Sequence, residues 1–196
     1  MRVRNHTNPF NITQRFDPKW LAHLPPDQPL DVEIGFGRGV FLRYWAAKHL
    51  LHKVIGIEVR KQMVDILQSR VDDQLLPQLQ LLHGNGLFFL QDCVPDNRLD
   101  RLFIFHPDPW FKKRHQKRRV VTDQYSQLLF QKLKPTGKLY VSTDVDLLWQ
   151  DMCQTLTVAG FKALPQDDFW QTHYNTHWHE FSITDNRTLF FQTFQK

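Results

Sequence analysis

Short apolar runs alternating with longer amphipathic segments constrain this chain more than any other feature. Runs at 30–36, 54–59, 79–83, 101–105 and 138–142 read as strands, and segments at 39–51, 61–76, 123–133 and 145–159 carry helical periodicity. Parallel strands need long crossover connections, and helices making those crossovers cover both faces of the sheet. The pattern therefore predicts a doubly wound α/β domain. Beyond Gly160, the runs 161–164 and 188–194 read as two more strands across a long polar stretch. They are expected as a C-terminal hairpin carrying an antiparallel strand at the sheet edge.

A chain of 196 residues with 41% hydrophobic content suits one packed domain. Residues 1–29, rich in Pro, Asn and His, read as an arm with a short helix near 19–23; residues 30–196 form the domain. Cys93 and Cys153 stand apart from any CxxC pair, which points to a reducing compartment and not to a disulfide framework. No apolar run reaches the ~20 residues needed to span a bilayer, and the polar start is unlike a signal peptide. A cytoplasmic protein is expected, without an obligate protein partner, as a monomer or homodimer.

The first strand leads directly into Glu33-Ile34-Gly35-Phe36-Gly37-Arg38-Gly39. Glycines at such a strand-to-helix turn bring the backbone close to a ligand at the helix N-terminus, although a plain tight turn would use them too. Glu58, about twenty residues further on at the end of the second strand, has the position of an acid that accepts hydrogen bonds from ribose hydroxyls. Glu33 would repel a pyrophosphate and attract a cation, so this nucleoside pocket favours S-adenosylmethionine over a dinucleotide. Asn85, in Gly84-Asn85-Gly86, is either an amide for the adenine edge or part of a simple turn.

After the fourth strand comes His106-Pro107-Asp108-Pro109-Trp110, then a dense basic run from Lys112 to Arg119. Flanking prolines hold Asp108 in a stiff, non-helical turn. The cations are either a solvated loop or a surface for a polyanion. Trp110 and Phe111 would stack on a base or anchor their loop. Asp144 would face a base edge or cap the helix that follows. His173, His177 and His179 have a spacing at which imidazoles can converge on a metal, or the aromatics among them would line the substrate mouth or cover the sheet edge. With no Cys and no clear carboxylate partner to complete a site, no metal site is expected.

Together these segments, with Arg4-Asn5-His6-Thr7-Asn8-Pro9 and Ser142-Thr143-Asp144, resemble the tRNA (guanine-N7-)-methyltransferases. The resemblance implies a class I methyltransferase, Rossmann-like fold with a seven-stranded mixed sheet. It implies methyl transfer from S-adenosylmethionine to guanosine N7 in the variable loop of tRNA. By matching position, Glu33, Gly35, Glu58, Arg60, Asn85 and Phe105 contact the cofactor, and Asp108 both contacts it and is catalytic. Lys112, Asp144, Thr176 and Glu180 match substrate positions. Arg114, His115, Gln116, Lys117, Arg118 and Arg119 match the segment that meets RNA. Departures are His106, where the family commonly has Phe, Asn85 in place of an acid, and a late TxxE element here one residue too long. A methyltransferase acting on another RNA, and a tRNA-binding protein without catalysis, are the competing readings.

Overall fold

The computed structural model describes residues 7–71, 77–165 and 167–196. Seven strands form one sheet: β1 (Leu30–Ile34), β2 (Lys53–Glu58), β3 (Leu79–His83), β4 (Leu99–Phe105), β5 (Leu133–Thr143), β6 (Lys162–Leu164) and β7 (Phe190–Gln195). Their order is β3-β2-β1-β4-β5-β7-β6. The first five are parallel, whereas β7 runs antiparallel to both β5 and β6. The expected late pair is present, but β7 lies inside the sheet and β6 is the edge strand. A three-residue strand suits that edge, because it offers little unpaired backbone to other chains.

Helices α1 (Val40–Lys48), α2 (Lys61–Gln68), α3 (Gly86–Cys93), α4 (Asp123–Lys132), α5 (Asp146–Val158), α6 (Phe169–Thr172) and α7 (His177–Thr184) connect the strands. The alternation of strand side chains divides the core in two. Val32, Ile34, Ile55, Ile57, Leu102 and Ile104 pack with α3, α4 and α5 on one face. On the other, Val54, Phe103, Phe105 and Tyr140 pack with α1, α2 and α6. There Phe41 of α1 meets the Phe103 ring at 4.8 Å and the Phe105 ring at 4.9 Å, both edge to face. Gly56 of β2 permits this closeness, since a Cβ there would lie 2.2 Å from the Leu42 side chain.

Three expectations change. α2 ends at Gln68, and residues 72–76 of the predicted helix lie outside the described residues. The stretch around 19–23 is a run of turns, and no helix was expected for α3, α6 or α7. α3 was hidden because Gly86-Leu87-Phe88-Phe89-Leu90 is apolar on every side, which erases the helical period. Asn85 starts it: its side-chain oxygen accepts from the Leu87 N–H at 3.0 Å.

The described part of the arm packs across α3. Phe16 and Trp20 set their rings edge-on against Phe89, the Arg15 guanidinium pairs with Asp92, and Arg98 donates to the carbonyls of Pro25 and Gln28. At the opposite, N-terminal edge of the sheet the fully buried Asp31 accepts from the Trp45 indole N–H at 2.8 Å and pairs with His52 and Arg101. A buried charge provided for in this way is the usual arrangement.

Candidate active site

A cavity of about 450 Å³ opens at the carboxyl ends of the strands. It lies where chain order reverses between β1 and β4, the crevice in which open α/β sheets bind ligands. Its walls are the glycine turn after β1, Glu58 and Arg60 after β2, Asn85 after β3, the His106–Trp110 turn after β4, and the start of α7. Pro9 of the arm closes one side, accepting a hydrogen bond from the Asn85 amide at 3.3 Å.

Gly35, Gly37 and Gly39 all have positive φ, at 82°, 56° and 67°. Side chains are disfavoured in that conformation, and a Cβ at Gly39 would also collide with Leu67 at 2.2 Å. The turn is tied to β2: the Gly35 N–H donates to the Ile57 carbonyl at 2.7 Å and the Gly37 N–H to Glu58 at 2.9 Å. Glu58 also accepts from the Arg60 backbone N–H at 3.0 Å and from its guanidinium at 3.0 and 3.1 Å. Asp108 adds to the field that, after the Glu58 hydrogen bonds, raises the Arg60 pKa. Glu33 is different. It is 3% exposed, its Oε2 has no hydrogen-bond partner, and burial, reinforced by the charge of Glu58, pushes its pKa up to about 8. Burial of this kind favours the neutral acid near pH 7, and perturbed acids in clefts are candidates for functional groups.

The turn carrying Asp108 is braced on both sides. His106 and Trp110 adopt left-handed backbone, with φ of 46° and 44°. The buried His106 ring sits 2.7 Å through Nε2 from the Tyr174 hydroxyl, which donates to Ser142 Oγ at 2.7 Å. Nδ1 of the same ring lies 3.5 Å from Asp144. Further on, the Arg119 Nε–H donates to the Pro109 carbonyl at 2.8 Å, and its other end pairs with Asp151 at 2.6 Å. The Trp110 ring lies under the Arg118 guanidinium at 4.9 Å and meets His115 edge-on.

A family model described as a putative methyltransferase matches residues 27–190. The tRNA (guanine-N7-)-methyltransferase of Thermosynechococcus vestitus is 36% identical over 166 residues, covering 82% of this chain and 77% of that protein. The chain belongs to the tRNA (guanine-N7-)-methyltransferase family. The member from Stutzerimonas stutzeri is 39% identical over 140 residues, which are 71% of this chain and 59% of that protein. The chain thus spans about three fifths of the length of that relative. Among solved structures, an antibiotic-related methyltransferase has a TM-score of 0.65 at 15% identity, covering 94% of this chain and 96% of its own. The aminoglycoside resistance methyltransferase NpmB1 has a TM-score of 0.58 at 15% identity, covering 93% and 94%. Likeness at that identity shows the class I methyltransferase fold.

Of the residues assigned by resemblance to this family, Glu33, Gly35, Glu58, Arg60, Asn85, Phe105, Asp108, Thr176 and Arg118 share the one cavity. Lys112, Arg114 and Lys117 are exposed on or beside the 3₁₀ helix Lys113–Arg118, with His115 and Gln116 half-buried in it. Arg119 is buried under the acid turn. The Asp144 side chain is buried too; it accepts from Arg187 at 2.7 Å and does not cap α5, whose N-cap is Val145. Thr176 caps α7 by accepting from the His179 N–H at 2.9 Å, and Glu180, four residues after Thr176, faces solvent. The three histidines diverge: His177 lines the cavity, His179 packs on Tyr174 and His173 meets Tyr44. Among the described residues no helix is long and apolar enough to cross a membrane. Sequence reasoning missed Tyr174 and Arg187, because partners set by tertiary packing carry no local pattern.

Proposed function

We propose that the chain is an S-adenosylmethionine-dependent tRNA (guanine-N7-)-methyltransferase acting in the cytoplasm. One observation carries this reading: the buried, unpartnered Glu33 and the Glu58 carboxylate share a cavity with Asp108, whose turn continues into an exposed cationic helix. The 30–196 unit would hold the chemistry and the 1–29 arm would close one side of the cavity.

The residues present fit the cofactor. Glu33 Oε2 supplies the anion that a methionine ammonium requires, and the glycine turn leaves room, since a Cβ at Gly35 would meet nothing within 4 Å. Glu58 would accept from the ribose hydroxyls in place of the Arg60 guanidinium, which bonds the same oxygens. The Asn85 amide, with one N–H given to Pro9, has a second for adenine. When bound, S-adenosylmethionine supplies an electrophilic methyl group on a sulfonium.

Guanine N7 carries an in-plane lone pair, so attack requires no prior deprotonation. The role left for Asp108 is to accept from the base edge and to stabilise positive charge as it moves onto the purine. Lys112 beside the turn and Lys113, Arg114 and Lys117 beyond it would meet phosphates, which position RNA without reading its sequence. Arg118, stacked on Trp110, would form the border between the two regions.

The test is incubation with methyl-labelled cofactor and unmodified tRNA, followed by borohydride and aniline cleavage at 7-methylguanosine. Label entering tRNA and a single cleavage in the variable loop are expected. Cofactor binding with no label in tRNA would refute the reading in favour of a non-catalytic tRNA binder, and transfer only to other RNAs would refute the substrate.

A further inference from the structure

A second cleft, of about 240 Å³, lies behind the acid turn and between it and the start of α5. Pro109, Phe111, Val145, Leu147 and Leu148 supply its apolar walls, and Gln116 its one neutral polar side chain. Its charged lining is neutral as a pair, because Arg119 and Asp151 bind each other at 2.6 Å. Two large apolar side chains at this cleft stand in water: Phe111 is 66% exposed and Leu147 is 71% exposed. Nothing in the core packing accounts for holding an aromatic ring out there, since Arg119 already anchors the turn and Trp110 already packs on Arg118.

We propose that this cleft receives a nucleobase of the tRNA strand adjacent to the methylated guanosine, an inference that rests on the tRNA-methyltransferase reading. A base offers a flat apolar face for Phe111 and Leu147, and its polar edge suits the Gln116 amide, which both donates and accepts. Location fits a neighbouring nucleotide, because Pro109 belongs both to this cleft and to the turn that aims Asp108 into the main cavity. Charge fits as well. Lys112, Lys113, Arg114 and Lys117 are all exposed around Phe111, and among the described residues no carboxylate forms an ion pair with them. A surface with four exposed cations on the side of Phe111 suits a strand whose backbone is anionic, although Asp146 is exposed beside Leu147 on the other side. Two side chains are also far too little for a stable contact between protein copies, which needs about 800 Å² from each partner.

The experiment is steady-state methylation of tRNA by the full chain and by Phe111→Ala, Leu147→Ala and Phe111→Trp. Both alanine variants should raise KM for tRNA about tenfold, with kcat and cofactor affinity unchanged, and Phe111→Trp should restore KM. An abasic site next to the target guanosine should raise KM for the unaltered chain by the same factor and add nothing to Phe111→Ala. Unchanged KM in the alanine variants, additive effects of variant and abasic site, or a shift of sedimenting species on Phe111→Ala would each overturn the subsite. The last would assign the cleft to contact between copies. No transfer by the unaltered chain would instead sink the parent reading and the subsite with it.

Discussion

Two buried carboxylates of β1 behave oppositely. Asp31 has three partners, whereas Glu33, two residues on and facing the same side, keeps one oxygen without any. Its pKa near 8 is above the ordinary 4.5, so its contribution to stability is full below pH 4.5 and is lost as pH rises through 8. Glu33→Gln should therefore stabilise the ligand-free protein by an amount on the order of 4 kcal/mol at pH 8 and by little at pH 4.5. Thermal melts across that window check this; equal gains at both pH values would contradict the raised pKa. On the proposed reading Glu33 would also make cofactor capture pH-dependent. An ammonium partner lowers the Glu33 pKa, so binding should tighten from about pH 6 towards 8 with release of a proton near neutrality. Calorimetry in buffers of different ionisation enthalpy measures that proton, and in Glu33→Gln it should vanish. On the same reading Asp108 would act at the other end of the reaction. Asp108→Asn keeps the shape and a donor-acceptor edge but removes the charge, and should lower kcat about 100-fold while leaving cofactor affinity within about twofold. Undiminished kcat would remove its electrostatic role.

At the level of elements, the acid turn is registered against the α6–α7 region by a buried ring pair. His106 reaches Tyr174 between those helices, and the Tyr174 ring lies 4.6 Å from that of His179 in α7, whose first residues line the cavity. Tyr174→Phe preserves the ring and deletes the hydroxyl that holds both His106 and Ser142. We expect a loss of about 1–2 kcal/mol and a lower kcat at unchanged cofactor affinity. His106→Phe should cost kcat similarly, and the double variant should lose less than the sum of the two, since both cut the His106–Tyr174 bond while each also loses a contact of its own. Independent, additive losses would show that the pair does not act as a unit. This link was not legible in the sequence, because Tyr174 is 68 residues from His106 and sits in a stretch that reads as polar. By contrast, the five parallel strands, the glycine turn and the Asp108 turn were legible, each being written within a few neighbouring residues. Helices α3 and α7 were not: one is apolar on all sides, and the other starts at Thr176 with His179 in the place where a capping glutamate would advertise it. Asp144 likewise stood at an expected strand end, but its partner Arg187 is fixed only by packing.

Across the whole molecule, charge is concentrated beside the chemistry. Lys112, Lys113, Arg114, Lys117, Arg118 and Arg119 together exceed the net charge of +5, so the rest of the surface is close to neutral. The structure sorts these six into two groups. Arg119 is spent on the Pro109 carbonyl and Asp151, and Arg118 on Trp110, so they shape the turn. The other four are exposed and available to phosphates. Exchanging Lys113, Arg114 and Lys117 for Gln should therefore weaken tRNA binding and reduce the slope of log affinity against log salt by about one for each phosphate left without its cation, with the melting temperature unchanged. Arg119→Gln should do the reverse, lowering the melting temperature and kcat through the loosened turn while leaving the salt slope intact. Binding measured from about 50 to 300 mM salt separates the two groups. An Arg119 variant that flattens the slope, or a triple variant that leaves it unchanged, would contradict the division of this basic run into scaffold and phosphate-facing side chains.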